Sequence, residues 1–238
     1  MSDTSMNDPE AMLRRGLLQL KLYREGGGKV YETVELERFV SSARLFLDEL
    51  ERWNRRISLI SGDRRDIILR HLLDSLSVYP HLRSLGAHRI ADVGSGNGFP
   101  ALALALLDRK LRIDLVERSS RKAAYLRDMV GRLGLGGELR VLEEDLQQVS
   151  LRYPLVISRA LMPLHRAVPL MRRLLEPGGT IYIFAGRKEK LEWELQNLNL
   201  PRKEEQVEIL SLAVPFLDEE RNLIQKWYRQ RKDLHLLL

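Results

Sequence analysis

The sequence RIADVGSGNGFPALALALLDRKLRIDLVE, residues 89–117, decides the fold. It opens with a short apolar run that is typical of a buried parallel strand, and a second such run closes it at Glu117. Between the runs, residues 100–107 are rich in alanine and leucine and begin with a proline, as in a buried helix. Three glycines follow the first run at alternate positions: Gly94, Gly96 and Gly98. Glycines let the backbone turn sharply and approach a ligand with no Cβ in the way, so the stretch predicts a strand, a ligand-binding loop, a helix and a strand.

The residues around the glycines indicate which ligand the loop binds. A phosphate-binding P-loop requires Lys-Ser/Thr after its glycines, and the dinucleotide fingerprint requires a glycine where Phe99 stands. An acid precedes the glycines instead, which suits a cationic ligand better than a pyrophosphate. Glu117, at the tip of the second strand, can accept both hydroxyls of a ribose. S-adenosylmethionine carries an ammonium, a sulfonium and a ribose, so we predict a site for it, with a chance glycine-rich turn as the alternative. The predicted contacts are Asp92, Gly94, Ser95, Gly96, Gly98 and Glu117.

Composition sets broad limits on the class of protein. The chain has 238 residues, 44% of them hydrophobic, which is enough for one sizeable domain and an appendage. No apolar run approaches the roughly 20 residues that span a bilayer, and the N-terminus lacks a signal-peptide core, so we expect a cytoplasmic protein with no membrane partner. There is no cysteine, which excludes disulfides and thiolate chemistry. The five histidines show no ligand spacing, and we expect no metal.

Basic residues are clustered along the chain, whose formal net charge is +6. Arginines are frequent in residues 52–70, cations follow Glu117, and the tail over residues 226–232 places two aromatics among four cations. Such clusters favour a phosphate-bearing partner with unpaired bases, although a merely basic surface is the alternative. The candidate RNA-binding residues in the first two clusters are Arg55, Arg56, Arg70, Arg121 and Lys122.

The pattern of elements predicts the architecture. Amphipathic spacing predicts helices over residues 34–53 and 65–82, and an N-terminal helix over residues 12–23 that stops at three glycines. Beyond residue 89, apolar runs and helical segments alternate, ending with a strand over 180–185 and a helix over 187–198, which predicts a parallel sheet with helices on both faces. Two late runs predict an antiparallel edge hairpin: residues 207–214 and 222–228. The resulting division is an accessory segment (1–30), a helical part (31–86) and an α/β cofactor-binding core (87–238).

Three polar residues stand out in the apolar second helix. His71, Asp74 and Ser75 lie at i, i+3 and i+4, which places them on one helical stripe. Such a stripe faces a cleft or satisfies itself by hydrogen bonds. A Ser–His–Asp nucleophile is disfavoured, because the three share one helix and Ser75 lacks a strained elbow. We expect a base-orienting role, with a His–Asp pair that pins the helix to the sheet as the alternative.

These motifs together resemble one known family. RHLLDSL at 70–76, ADVGSGNGFP at 91–100, Glu117 with Arg121-Lys122, and VISRA at 156–160 occur in the order and spacing of the RsmG (GidB) family. The resemblance covers roughly residues 34–230 and implies a Rossmann-like class I methyltransferase with a seven-stranded, mostly parallel sheet. It also implies methylation of the N7 atom of a guanine in 16S small-subunit ribosomal RNA, from S-adenosyl-L-methionine.

Further site residues follow from that resemblance, which places Gly94 and Phe99 where the family's loop contacts the cofactor. Asp145, Leu146 and Gln147 match the adenine-contacting stretch, although Glu143 and Glu144 leave its register open and an exposed loop carboxylate is the alternative. Arg159 matches a site arginine at the end of the fourth strand, where ligands bind in open α/β sheets. The family often has a lysine where Ala185 stands; Arg187 and Lys188 just beyond are candidates for its RNA contact.

The implied chemistry places few demands on side chains. Guanine N7 carries an in-plane lone pair and no proton, so its methylation requires alignment and water exclusion, with no general base or nucleophile. We expect a monomer that binds 16S rRNA or the small subunit. Two rivals remain open: a methyltransferase for another RNA or a small molecule, and a non-enzymatic RNA-binding module on the same fold.

Overall fold

The structure is a computed structural model, and it describes residues 8–23, 35–159, 162–186, 189, 191, 193–194 and 205–228. Within this part of the chain, seven strands form one sheet in the order β3-β2-β1-β4-β5-β7-β6. Strands β1 to β5 pair in parallel, whereas β7 pairs antiparallel with both β5 and β6. The strands are β1 (Arg89–Val93), β2 (Arg112–Val116), β3 (Leu139–Leu142), β4 (Tyr153–Arg159), β5 (Leu175–Ala185), β6 (Glu205–Ser211) and β7 (Asn222–Tyr228). The predicted α/β sheet and its antiparallel edge hairpin are confirmed.

The strand order places a topological switch at the centre of the sheet. The chain leaves β1 toward β2 and β3 on one side, and returns to β4 and β5 on the other. The connections after β1 and β4 therefore diverge and leave a crevice at the carboxyl ends of these strands, where ligands bind in open α/β sheets. The glycine loop follows β1 at this position.

Strand β5 begins five residues earlier than the sequence predicts. The segment Leu175–Gly179 contains a proline and two glycines and is typical of a turn, yet it belongs to the strand. The pairing with β4 shifts register here, from Tyr153 opposite Leu175 to Leu155 opposite Thr180. A bulge of this kind absorbs residues that would otherwise form a loop.

The helices pack on both faces of the sheet, as predicted. They are α1 (Pro9–Gln19), α2 (Leu36–Asn54), α3 (Arg64–Ile67), α4 (Asp74–Ser77), α5 (Tyr79–Ser84), α6 (Ala101–Leu107), α7 (Ser120–Arg132) and α8 (Leu164–Arg173). In α2 the predicted stripe is confirmed, because Phe39, Phe46 and Leu50 are all buried. The helix predicted over 187–198 lies largely outside the described residues.

The N-terminal helices share the main hydrophobic core. Met12 and Leu17 of α1 are about 1% exposed and belong to the same buried cluster as Phe46 and Leu102. Asp8 caps α1, since its carboxylate accepts the N–H groups of the first helical turn. The accessory segment predicted over 1–30 therefore contributes a helix that packs on the body of the protein.

The helix predicted over 65–82 is not one continuous α-helix. A π-helical segment, Ile68–Leu73, stands between α3 and α4 and contains His71. The stripe predicted from α-helical spacing is therefore wrong in its geometry, because the π form changes the angle between successive residues. Single π turns occur frequently at functional sites.

Candidate functional site

The glycine loop is held against the end of β2 by its own backbone. The N–H groups of Gly94 and Ser95 both donate to the carbonyl of Val116, at 2.9 and 3.2 Å. Gly94, Gly96 and Gly98 have φ values of 75°, 50° and 88°, in the left-handed region that favours glycine. The loop therefore turns between β1 and α6 with its backbone open toward the crevice.

Glu117 fixes the other wall of this crevice. Its carboxylate is buried, and one oxygen accepts the N–H of Gly96 at 3.0 Å while the other accepts the N–H of Ser119 at 2.8 Å. A carboxylate offers about four acceptor positions, so capacity remains on both oxygens. Glu117 thus both positions the glycine loop and retains acceptors for a ligand with two hydroxyls.

A cavity of about 450 Å³ opens between the loop and the ends of β2 and β3. This volume lies in the range of small-molecule sites, roughly 300–1,000 Å³. Of the predicted cofactor residues, the cavity is lined by Gly94, Gly96, Glu117, Asp145, Leu146 and Gln147. The local pattern of the sequence had pointed to the glycines and Glu117, and the family resemblance to residues 145–147.

The position of the acids after β3 bears on the predicted adenine contact. Glu143 pairs with Arg127 at 2.7 Å and does not line the cavity, whereas Glu144 and Asp145 do. One oxygen of Asp145 accepts the N–H of Gln147 at 3.0 Å, which shapes the loop into a tight turn. The structure thus favours Glu144 or Asp145 over Glu143 for this contact.

Five other predicted cofactor residues do not line the cavity: Asp92, Ser95, Gly98, Phe99 and Arg159. Asp92 is fully buried, and among the described residues neither carboxylate oxygen finds a hydrogen-bond partner. Burial raises the pKa of this carboxyl to about 8. The structure therefore places the acid beneath the loop and not at the cavity wall, and its contact with a cationic ligand stays a prediction.

His71 and Phe99 come together on the side of the loop next to the π-helix. The two rings lie 5.6 Å apart at an interplanar angle of 34°, and Phe99 also contacts the ring of Phe46 at 4.9 Å. Burial lowers the pKa of His71 to about 4, so the imidazole is neutral at physiological pH. Its ring is half-buried and supplies a neutral, flat surface beside the glycine loop.

Ser75 does not take part in this surface. It is fully buried, and its hydroxyl donates to the carbonyl of His71 at 2.5 Å. Serine hydroxyls inside helices commonly bond the carbonyl four residues earlier. The expected base-orienting role of Ser75 is therefore corrected: its hydroxyl is committed to its own helix.

Asp74 faces arginines and not His71. Its carboxylate is 2.9 Å from the Arg159 guanidinium and 3.8 Å from that of Arg221, and Arg159 also donates to the carbonyl of Arg70. Burial raises the pKa of Asp74, and the two guanidiniums oppose this shift. The buried Asp74–Arg159 pair ties the helical part to the end of β4, so the helix is held to the sheet by an Asp–Arg pair and not by the His–Asp pair given as the alternative. The expected contact of Arg159 with phosphate or cofactor stays a prediction.

The predicted RNA-binding cations differ in their surroundings. Arg55, Arg56 and Arg121 are exposed, and Arg56 lies over the Trp53 ring at 5.9 Å. Lys122, also predicted to bind RNA, lines the cavity. Arg187 and Lys188 lie outside the described residues. In the predicted basic tail, Lys226 is only 2% exposed within β7, so it does not present its charge to a partner.

Several cavity and network residues were missed by the sequence reasoning: Val116, Met162, Arg166, Leu170 and Arg221. Met162, Arg166 and Leu170 belong to the connection after β4 and to α8, which reach the cavity only through folding of the sheet. Arg118, one of the cations that follow Glu117 in the sequence, also lines the cavity.

Within the described residues, no three or more His, Cys, Asp or Glu side chains are arranged to hold a metal ion. Among the helices of that same part of the chain, none combines the length and apolar character needed to cross a membrane.

The strand order, the glycine loop after β1 and the acid at the end of β2 define a class I methyltransferase fold. A solved O-methyltransferase from Bacillus cereus, in complex with SAH, has this fold, with a TM-score of 0.56 at 16% identity over 78% of this chain and 91% of its own. The family described as GidB, rRNA small subunit methyltransferase G, matches residues 40–224.

Curated relatives agree with this match. A ribosomal RNA small subunit methyltransferase G from Treponema pallidum subsp. pallidum is 36% identical over 186 residues, which covers 75% of this chain and 81% of the relative. The protein of the same name from Burkholderia ambifaria is 32% identical over 183 residues, covering 74% and 78%. The chain belongs to the GidB family of small-subunit rRNA methyltransferases. It is thus an enzyme whose cofactor is S-adenosylmethionine.

Proposed function

We propose that the protein transfers a methyl group from S-adenosylmethionine to the N7 atom of a guanine in 16S ribosomal RNA. The observation that carries this proposal is the cavity between the glycine loop and Glu117, in a chain that belongs to an rRNA methyltransferase family. The small-molecule rival receives no specific support from the site.

The cavity residues fit the cofactor. Gly94 and Gly96 present backbone without side chains, as close approach of an amino-acid moiety requires. Glu117 retains acceptor capacity on both oxygens for the ribose hydroxyls, and Asp145, in the lining of the same cavity, supplies a carboxylate acceptor for the adenine amino group. When bound, S-adenosylmethionine supplies an activated methyl group on a sulfonium.

The part of the site that binds the guanine must orient the base and exclude water. A guanine N7 needs no deprotonation, so a neutral His71 is compatible with the reaction, since it presents no cation to a base that gains positive charge. The half-buried His71 ring, which packs against the buried Phe99 ring, suits stacking of a flipped base, and base flipping costs a few kcal/mol. The Asp74–Arg159 pair then acts as a positioning element that holds the His71 segment on the sheet.

Contacts with RNA would offset the cost of flipping. Arg55, Arg56 and Arg121 are exposed cations that can neutralise backbone phosphates, and Arg118, 81% exposed, extends the basic surface at the cavity mouth. Arg187 and Lys188 are retained as candidates from the sequence alone.

We further propose that the protein acts as a monomer in the cytoplasm, where small subunits are assembled. The division into residues 1–30, 31–86 and 87–238 is retained as a proposal about function, with the last part holding the cofactor. Sedimentation analysis of the purified protein tests the monomer.

Transfer of a labelled methyl group tests the function. Unmethylated small subunits and free 16S rRNA are incubated with the enzyme and labelled S-adenosylmethionine at increasing salt. Incorporation into rRNA that falls steeply with salt supports the proposal, because phosphate contacts release counterions. Binding of the cofactor without incorporation into either substrate would refute it.

A further inference from the structure

Arg70 and Arg221 both bind the exposed carboxylate of Glu219, next to the segment that contains His71. Glu219 lies in the connection between β6 and β7, and its Oε1 accepts from Arg70 Nη1 while its Oε2 accepts from Arg221 Nη2 at 2.9 Å. Each oxygen of a single carboxylate is thus bound by a different guanidinium. This is the arrangement with which arginines bind tetrahedral oxyanions as well as carboxylates.

We propose that Arg70 and Arg221 form a binding site for one backbone phosphate of the substrate RNA, which the Glu219 carboxylate occupies until the RNA replaces it. The inference rests on the proposed function, because it assigns the phosphate to that RNA. We call Arg70, Arg221 and Glu219 the arginine clamp.

The position of the arginine clamp favours this assignment. Arg70 directly precedes His71 in the π-helix, and its carbonyl accepts a hydrogen bond from Arg159. Arg221 reaches toward Asp74 at 3.8 Å. A phosphate held by the clamp would therefore lie next to the segment that presents the His71 ring, as expected for the target nucleotide or its neighbour.

The Glu219 carboxylate is suited to replacement by another anion, in contrast with the buried carboxylate of Asp74. The side chains of Glu219 and Arg70 are 46% and 42% exposed, so water and incoming anions reach both. Exposed ion pairs contribute little to stability, and their exchange for another anion is correspondingly easy. The side chains of Asp74 and Arg159 are 4% and 19% exposed, and this pair holds the structure together instead.

The charge state of the clamp also favours exchange of one anion for another. Hydrogen bonds from Arg70, and then from Arg221, lower the pKa of Glu219, so the carboxylate is ionised at neutral pH. Arg221 has its guanidinium between Glu219 and Asp74, and its side chain is only 18% exposed. Loss of Glu219 without a replacement anion would leave this largely buried cation with Asp74 alone, so a phosphate is the natural substitute.

Replacement of Glu219 by glutamine tests the clamp, with Asp218→Asn as the matched control. Asp218 is exposed and one residue away, so both variants remove one negative charge from the same connection. We expect Glu219→Gln to bind unmethylated 16S rRNA about two- to fivefold more tightly than the wild type, as loss of an exposed competing ion pair predicts. Asp218→Asn should bind within the error of the wild type. Equal affinities of the two variants would overturn the proposal.

Arg70→Gln supplies the second arm of the experiment. In its background the gain from Glu219→Gln should shrink or vanish, since the two residues act as one unit. If Glu219→Gln raised the affinity for rRNA as much in the Arg70→Gln variant as in the wild type, the increase would come from the change in net charge, and this would also overturn the clamp. Affinity for S-adenosylhomocysteine, measured for each variant, should equal that of the wild type and reports that the fold is intact.

The clamp and the proposed function can fail separately. A gain specific to Glu219→Gln together with no methyl transfer to rRNA would retain the clamp and refute the function. Methyl transfer to rRNA with no such gain would retain the function and refute the clamp.

Discussion

Truncation of Glu117 is the sharpest test of the cofactor site. In Glu117→Ala, the two carboxylate oxygens that accept the N–H groups of Gly96 and Ser119 are lost, and with them the remaining acceptor positions for a ribose. Because the carboxylate is buried at 7% exposure, the lost charged hydrogen bonds are worth about 1–3 kcal/mol. This corresponds to a Kd for S-adenosylhomocysteine that rises by roughly 5- to 150-fold.

Calorimetric titration with two ligands separates a ribose contact from loop support. S-adenosylhomocysteine and its analogue lacking both ribose hydroxyls are titrated into the wild type and Glu117→Ala. If Glu117 binds the hydroxyls, the substitution weakens the full ligand far more than the analogue. Equal losses for both ligands would refute the ribose contact and leave Glu117 as a support for the loop. Glu143→Ala removes an exposed acid that does not line the cavity; it is the control and should change neither affinity.

Three further predictions concern pH and backbone. The pKa of His71 lies near 4 in the folded state and near 6.5 in the unfolded state, so its contribution to the free energy of unfolding is complete above pH 6.5 and is lost as the pH falls toward 4. In urea titrations, the free energy of unfolding of His71→Gln should fall less over that pH range than that of the wild type. An equal fall in both proteins would contradict the prediction. The pKa of Asp92 is raised to about 8 in the folded state, so its contribution to the free energy of unfolding is complete below pH 4 and is lost as the pH rises toward 8. In the cofactor-free protein, Asp92→Asn should remove this decline in stability with rising pH. A decline that persists in the variant would exclude Asp92 as its cause. Gly98→Ala should lower the free energy of unfolding by about 1–3 kcal/mol, because φ is 88° and the new Cβ would lie 2.2 Å from Leu102 Cδ1. Gly131→Ala, whose Cβ would meet no atom within 4 Å in α7, should not destabilise, and equal thermal shifts for both alanines would contradict the steric argument.

What the sequence predicted correctly is what neighbouring residues determine. The first strand, the glycine loop and the strand that ends before Glu117 lie within 29 consecutive residues. Their positions depend on backbone turns and strand ends that a local pattern reveals. The parallel sheet followed from the alternation of elements for the same reason.

What the sequence did not reveal depends on contacts across the fold. Arg221 meets Asp74 from the far end of the chain, and Arg166 reaches the cavity from α8; neither has a local signature. The π form of Ile68–Leu73 was also missed, because one apolar turn does not distinguish a π period from an α period. Nor does the sequence show that His71 packs against Phe99 while Asp74 pairs with Arg159.

The identity of the methylated nucleoside tests the central claim most directly. Unmethylated 16S rRNA is incubated with the enzyme and isotopically labelled S-adenosylmethionine, then digested to nucleosides and analysed by mass spectrometry. We expect the label in 7-methylguanosine, at one position when fragments of the RNA are mapped. Label in a nucleoside methylated at another atom, or in no nucleoside while the cofactor binds, would contradict the account.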